Sequence, residues 1–256
     1  MASSTATVTG MNLAKLVACN YYGTGVQSID NFRLTVPAAT ANGSLKGKTV
    51  YAFGDSIVYG HKYARGFVNF TAEREQMILT KYARNGATIG ASDLQILTQV
   101  KGAAAQSPDY VVFNGGTNDA YATTVVGAVA AGTDPATFDN TTYAGSLETT
   151  ISTMHTKWPT ARIVHVVVHK LGSRDWDIQL AIRAVTLKIC AKWGVTVADV
   201  FNDTTLDTRV DAQRVAYTFD NLANGFPGTG GTGTHPNIAG ITTFYVPTLT
   251  AALLTR

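Results

Sequence analysis

From residue 49 onward, short runs of β-branched and aromatic residues alternate with longer stretches whose apolar positions recur every three or four residues. The runs at 49–53 (TVYAF), 77–82, 110–113 (YVVF), 162–169 and 194–200 have the length and composition of strands. Because they are apolar almost throughout, they predict burial on both faces. Between them the spacing predicts helices near 62–75, 92–102, 142–157 and 176–192, and a last one near 238–253. In the 176–192 stretch, Ile178, Leu180, Ala181, Ala184, Val185, Leu187, Ile189 and Cys190 would form the apolar face. Strand–helix alternation of this kind predicts an α/β fold: a five-stranded parallel sheet with helices on both faces, spanning 46–256. In such sheets, ligands bind beyond the carboxyl ends of the strands. The loops after the first three strands and the loop before the last helix are therefore the places to look for chemistry.

Residues 1–45 do not follow that rhythm. Positions 26–36 (VQSIDNFRLTV) alternate like a half-buried strand, and 37–48 (PAATANGSLKGK) reads as a linker. A short N-terminal β extension is expected, and its segment 28–34 resembles the closing strand of jelly-roll carbohydrate-binding modules.

Composition narrows the possibilities. The chain has 256 residues, with 14% charged and a formal net charge of +3. So small a charge, with no run of Lys and Arg, speaks against nucleic acid as a partner. No apolar run approaches the roughly 18 residues of a membrane span, and the first residues do not read as a signal peptide. The two cysteines, Cys19 and Cys190, suggest neither a disulfide framework nor a zinc site; Cys190 reads as a small hydrophobe on a buried helix face.

Four loop segments carry candidate chemistry. Gly54-Asp55-Ser56-Ile57 follows the first strand, where a serine hydroxyl would stand above the sheet edge beside free N–H groups of a helix start. Asn85-Gly86-Ala87-Thr88 follows the second, and a glycine there lets a substrate approach its N–H closely. Gly115-Gly116-Thr117-Asn118-Asp119 follows the third, and the Asn118 amide is a potential second oxyanion donor. Gly233-Thr234-His235-Pro236-Asn237 precedes the last helix and offers an imidazole. Each segment also reads as an ordinary turn or helix cap. Asp55, Asp119, Asp175 and Asp177 are expected to hold loops and helix starts. His165 is expected to face packed structure. His61 could line a substrate pocket or stand at a helix start, and Trp176 could be a substrate platform or a helix-packing residue.

Together and in this order, F-G-D-S-I, N-G-A-T, G-G-T-N-D and T-H-P-N resemble the SGNH (GDSL-type) hydrolases over residues 49–256. The resemblance implies hydrolysis of carboxylic esters through an acyl-serine, with no metal or cofactor. It implies Ser56 as nucleophile, His235 as general base, and an oxyanion hole formed by the N–H groups of Ser56 and Gly86 and the Asn118 side chain. One position departs from the family pattern. The family usually carries an aspartate three residues before the histidine, and here that residue is Thr232. Loss of the corresponding group in a serine protease costs about 10⁴ in kcat. The imidazole could be oriented by a backbone carbonyl, most simply that of Thr232, or by another carboxylate, with Asp220 the nearest upstream. Alternatively, the domain could bind glycan while catalysing poorly.

The low charge and Thr-rich surface point to an extracellular or virion-surface setting. The whole resembles carbohydrate O-acetyl esterases, including those of modular glycan-degrading proteins and phage tail spikes, and that resemblance implies a homo-oligomer, a trimer if the chain is a tail-spike piece. An acetylated polysaccharide or other small ester is the expected partner. A lysophospholipase or thioesterase is the enzymatic alternative.

Overall fold

A computed structural model of the chain describes residues 44–219 and 231–255. The chain divides into two units, Met1–Asn42 and Gly43–Arg256. All described residues belong to the second. The β extension expected at 26–36 lies outside them, as do Cys19 and Asp220. The end of the anticipated linker is not a free connector: Leu45 is buried in the core, and Gly47 N–H donates to the Gln76 carbonyl.

Five strands form one parallel sheet in the order β2-β1-β3-β4-β5. They are β1 (Thr49–Phe53), β2 (Ile78–Lys81), β3 (Tyr110–Asn114), β4 (Arg162–Val167) and β5 (Thr196–Asp199). The period-2 alternation along each strand sorts side chains to two cores. Val50, Ala52, Val112, Val164 and Val166 face one side. That side is covered by α1 (Ser56–Tyr59), α2 (Phe67–Glu75) and the C-terminal helical run. Phe53, Val111, Phe113 and Ile163 face the other, covered by α3 (Ile96–Gly102), α4 (Tyr143–Lys157) and α5 (Trp176–Trp193). Two further helices, α6 (Val200–Asp203) and α7 (Asp211–Tyr217), precede the last run. That run comprises α8 (Ile238–Gly240), a π-helical turn at Ile241–Tyr245 and α9 (Val246–Leu254). Pro247 sits in the first turn of α9 and cannot donate the usual i→i−4 bond, which accounts for the wider turn before it.

Several element boundaries differ from the sequence expectation. The helix expected at 62–75 begins at Phe67, because residues 56–59 already form α1 and that helix ends in a left-handed cap at Gly60. The helix expected at 92–102 begins at Ile96. On α5 the buried face is rotated from the expected one. Leu180 is exposed, whereas Gln179 and Thr186 are buried. Gln179 is satisfied by both backbone groups of Leu171, at 2.8 and 3.0 Å, and Thr186 by the Tyr143 hydroxyl at 3.0 Å. Cys190 is a buried free thiol, and burial pushes it up to about 12. Among the described residues no helix is long and apolar enough to cross a membrane.

The register of β1 against β3 is pinned at their amino ends. Asp109 accepts from Thr49 N–H at 2.8 Å, from the Thr49 hydroxyl at 2.9 Å and from Lys48 Nζ at 2.9 Å. The Thr49 hydroxyl in turn accepts from Asp109 N–H at 2.8 Å. The hydrogen bond from Lys48, with those from Thr49, holds the Asp109 carboxyl down at about 2. Since the folded-state value lies below the ordinary carboxylate value, its stabilisation is present above about pH 4 and is lost as pH falls toward 2. Asp109→Asn should therefore cost about 1 kcal/mol at pH 7, allowing for solvent screening. In urea denaturation the difference from wild type should shrink below about pH 3.

Candidate active site

The chain leaves β1 for β2 on one side and then crosses to β3 on the other, so a crevice opens between the carboxyl ends of β1 and β3. Ser56 follows β1 at this crevice as the first residue of α1. Gly54 makes the turn possible, with φ +144° and no room for a Cβ, which would lie 1.9 Å from Asn114 Oδ1. Asp55 caps α1 by accepting from Ile57 N–H at 2.8 Å, and the same oxygen accepts from Asn114 Nδ2 at 3.0 Å. The nucleophile turn is thereby stitched to the end of β3. Burial pushes the Asp55 carboxyl up, and its hydrogen bonds oppose that shift.

His235 Nε2 lies 2.9 Å from Ser56 Oγ. The loop that carries it is built as a short ladder against residues 217–219. Phe219 N–H donates to the His235 carbonyl at 2.9 Å, and Asn237 N–H to the Tyr217 carbonyl at 2.9 Å. The buried Asn237 amide donates to the Ala216 carbonyl at 2.9 Å, and its oxygen caps α8 by accepting from Gly240 N–H at 2.9 Å. Gly233 accepts from Gly172 N–H and from the Thr208 hydroxyl, and the Ser173 hydroxyl meets that of Thr234.

Thr232 occupies a different role from the one expected. Its hydroxyl accepts from His235 N–H at 2.8 Å, and its carbonyl accepts from the Thr234 hydroxyl at 3.4 Å. The contact with His235 is thus through the side chain to the backbone rather than through the carbonyl to the ring. A threonine three residues before the histidine makes a turn of the kind its hydroxyl favours. Asp220, the other orienting candidate, lies outside the described residues.

The remaining motif residues lie on the loops after β2 and β3, which are bonded to each other. Asp119 is buried and accepts from Ile89 N–H at 3.1 Å, Gly90 N–H at 2.7 Å and Gly116 N–H at 3.2 Å. It joins the loop after β2 to the loop after β3. Burial pushes this carboxyl up, against the three N–H donors. Asn118 donates from Nδ2 to the Ala87 carbonyl at 2.9 Å, leaving its second amide hydrogen for a ligand. Gly86 is exposed, with φ +80°. The amide of Asn118 is held in one sense, because Arg174 Nη2 donates to its Oδ1 at 3.3 Å. Arg174 Nε also donates to the Thr117 carbonyl at 2.7 Å, and the guanidinium lies over the Tyr121 ring, 4.8 Å from its centroid. No motif in the sequence marks Arg174. Its only sequence signal is its place in the loop after β4, at the sheet end where ligands bind.

Of the two side chains expected near substrate, Trp176 is engaged in packing and His61 lies on the His235 ring. The Trp176 ring stacks on Phe201 at 5.6 Å and carries the Arg209 guanidinium 3.5 Å from its centroid. It packs the start of α5 and offers no open platform. The His61 ring lies on that of His235, with centroids 3.8 Å apart. As expected, Asp175 caps α5 through Ile178 N–H at 2.9 Å. His165 is buried edge-on against Phe113, and burial lowers it to about 3.

A serine bonded to an imidazole at the carboxyl end of a doubly wound parallel sheet is an arrangement that serine hydrolases use. Residues 52–241 match the GDSL-like Lipase/Acylhydrolase family, and the chain belongs to it: it is a carboxylic ester hydrolase of the SGNH/GDSL class. A solved protein from Lactobacillus plantarum is similar at 19% identity and TM-score 0.66, over 81% of this chain and 97% of its own. The lipase/acylhydrolase from Enterococcus faecalis is similar at 16% identity and TM-score 0.53, over 81% and 95%. A member of the lipolytic G-D-S-L family from Veillonella parvula is similar at 18% and 0.51, over 79% and 95%. These likenesses concern the fold. No curated protein matches the chain.

Arg174 fixes Asn118 without reaching the Ser56–His235 pair in any contact described. Arg174→Ala should lower kcat about tenfold while changing KM less than about twofold, because a misplaced donor acts on the transition state. Steady-state kinetics on a small aryl ester would show it.

Proposed function

We propose that the protein removes O-acetyl groups from a polysaccharide, with Ser56 as nucleophile and His235 as general base. The observation that carries the chemistry is the 2.9 Å contact between Ser56 Oγ and His235 Nε2 at the crevice of the sheet. Ser56 Oγ attacks the ester carbonyl carbon as Nε2 takes its proton. The negative charge then forming on the carbonyl oxygen is met by the Ser56 and Gly86 N–H groups and by the second amide hydrogen of Asn118. Collapse breaks the bond to the sugar oxygen, which leaves as an alcohol carrying the proton from His235. Water, activated by the same imidazole, then releases acetate from the acyl-serine and restores both residues.

The surroundings of the site support a sugar ester. Tyr63 and Tyr121 stand about half exposed. One is tied to the His235 side through Phe219, at 5.1 Å, and the other to the Asn118 side through Arg174. Exposed aromatic faces of this kind suit flat apolar sugar faces. A cleft of about 120 Å³ is lined by Arg84, Asp93, Gln95 and Thr98 among others. It also includes Leu94, the side chain nearest to Gly86. Its hydrogen-bonding groups suit hydroxyls better than a long acyl chain.

Ser56→Ala should abolish turnover of a small acetyl ester while leaving the melting temperature within a few degrees of wild type; retention of more than a few per cent of the rate would assign attack to another residue. Asn118→Ala should cost about 10²–10³ in kcat with little change in KM. The substrate class is tested by comparing kcat/KM on acetylated xylan or a similar acetylated glycan, on p-nitrophenyl acetate and on p-nitrophenyl octanoate. Acetyl should exceed octanoyl by at least about tenfold. The opposite order would favour the lysophospholipase or thioesterase reading.

A further inference from the structure

His61 sits five residues after the nucleophile in a conformation that costs energy. Its φ is +51°, in the left-handed region that residues other than glycine seldom adopt. The end of α1 imposes it. Gly60 forms the left-handed cap, and the N–H groups of both Gly60 and His61 donate to the Ser56 carbonyl at 2.9 Å. The Asn85 amide donates to the His61 carbonyl at 3.3 Å. So turned, the His61 ring lies almost flat on the His235 ring, with centroids 3.8 Å apart and planes inclined by 13°. On a second side is Phe219, 6.2 Å away at 29°.

We propose that His61 is a positioning residue for His235, and this rests on the reading of Ser56 and His235 given above. Hydrogen bonds at the ring nitrogens act in the imidazole plane. They direct Nε2 toward Ser56 Oγ but resist tilting of the ring poorly. A second ring at van der Waals separation supplies the restraint perpendicular to the plane. In most of the family's pattern the residue three before the histidine is an acid, whereas here Thr232 serves the backbone of His235. The flat ring also presents its π face to the imidazolium that forms when His235 accepts the serine proton, which favours that charge. Strained backbone at a functional site is the expected signature of such a device.

The left-handed φ supplies a test that separates positioning from folding. His61→Gly removes the ring at a position whose backbone suits glycine, so its melting temperature should equal or exceed that of wild type. His61→Phe keeps a flat ring. On p-nitrophenyl acetate at about pH 8, where free imidazoles are neutral, His61→Gly should lower kcat about 10- to 100-fold with KM within about twofold. His61→Phe should keep kcat within about threefold of wild type. The rate at which an organophosphonate labels Ser56 should fall in His61→Gly in parallel with kcat. An unchanged kcat in folded His61→Gly overturns the proposal. So does a rise in KM at constant kcat, which would make His61 a substrate contact, or an equal loss of kcat in both folded variants. Loss of folding in His61→Gly would likewise overturn it, by making the residue structural. If wild type fails to turn over the ester, or Ser56→Ala retains its rate, it is the underlying assignment of Ser56 and His235 that falls.

Discussion

Asp119 takes three backbone N–H groups from two different loops, and the candidate site exists in its present shape because of it. A buried carboxylate is costly unless its oxygens are satisfied, and here the donors are Ile89, Gly90 and Gly116. The loop after β2 and the loop after β3 therefore cannot move independently. Asn118 adds a second tie by donating to Ala87, one residue from Gly86. Asp55 repeats the arrangement between the loop after β1 and the end of β3 through Asn114. Asp55 and Asp119 thus tie together the three loops that carry Ser56, Gly86 and Asn118. Preorganisation of this kind lets donors stabilise developing charge without reorganising during the reaction.

The sheet, its parallel sense and the four site-bearing loops were legible in the sequence, because apolar strands alternating with helices admit few other arrangements. The convergence of Ser56 and His235 was legible only through motif order, since nothing local links them. What escaped was decided by tertiary contacts. The buried face of α5 includes Gln179 and Thr186 because Leu171 and Tyr143 satisfy them, and no periodicity rule anticipates a buried polar residue whose partner lies elsewhere. The start of α2 was displaced because α1 had already used the preceding turn. Arg174 and the His61 ring acquire meaning only from Asn118 and His235, which lie 56 residues away in one case and 174 in the other.

Thr232 shows how a single motif departure is absorbed. An aspartate at that position would carry charge toward the imidazole; the threonine instead spends its hydroxyl on the backbone N–H of His235 and shapes the loop. Around it, Gly233, Thr234 and Asn237 bind the same loop to residues 172–173, 208 and 216–218. The histidine is therefore carried by a well-anchored backbone, and ring orientation becomes a matter for its immediate neighbours.

The hydrogen bond between Ser56 and His235 closes a loop of 179 residues. Contacts of such sequence separation are slow to form, because chain entropy is surrendered before they are made. Both groups come from loops whose seats require β1, β3 and the C-terminal helical run to be in place. During refolding, far-UV ellipticity would recover ahead of ester hydrolysis, and the enzyme's own turnover would serve as a clock for the final docking of the chain's last fifth onto the sheet.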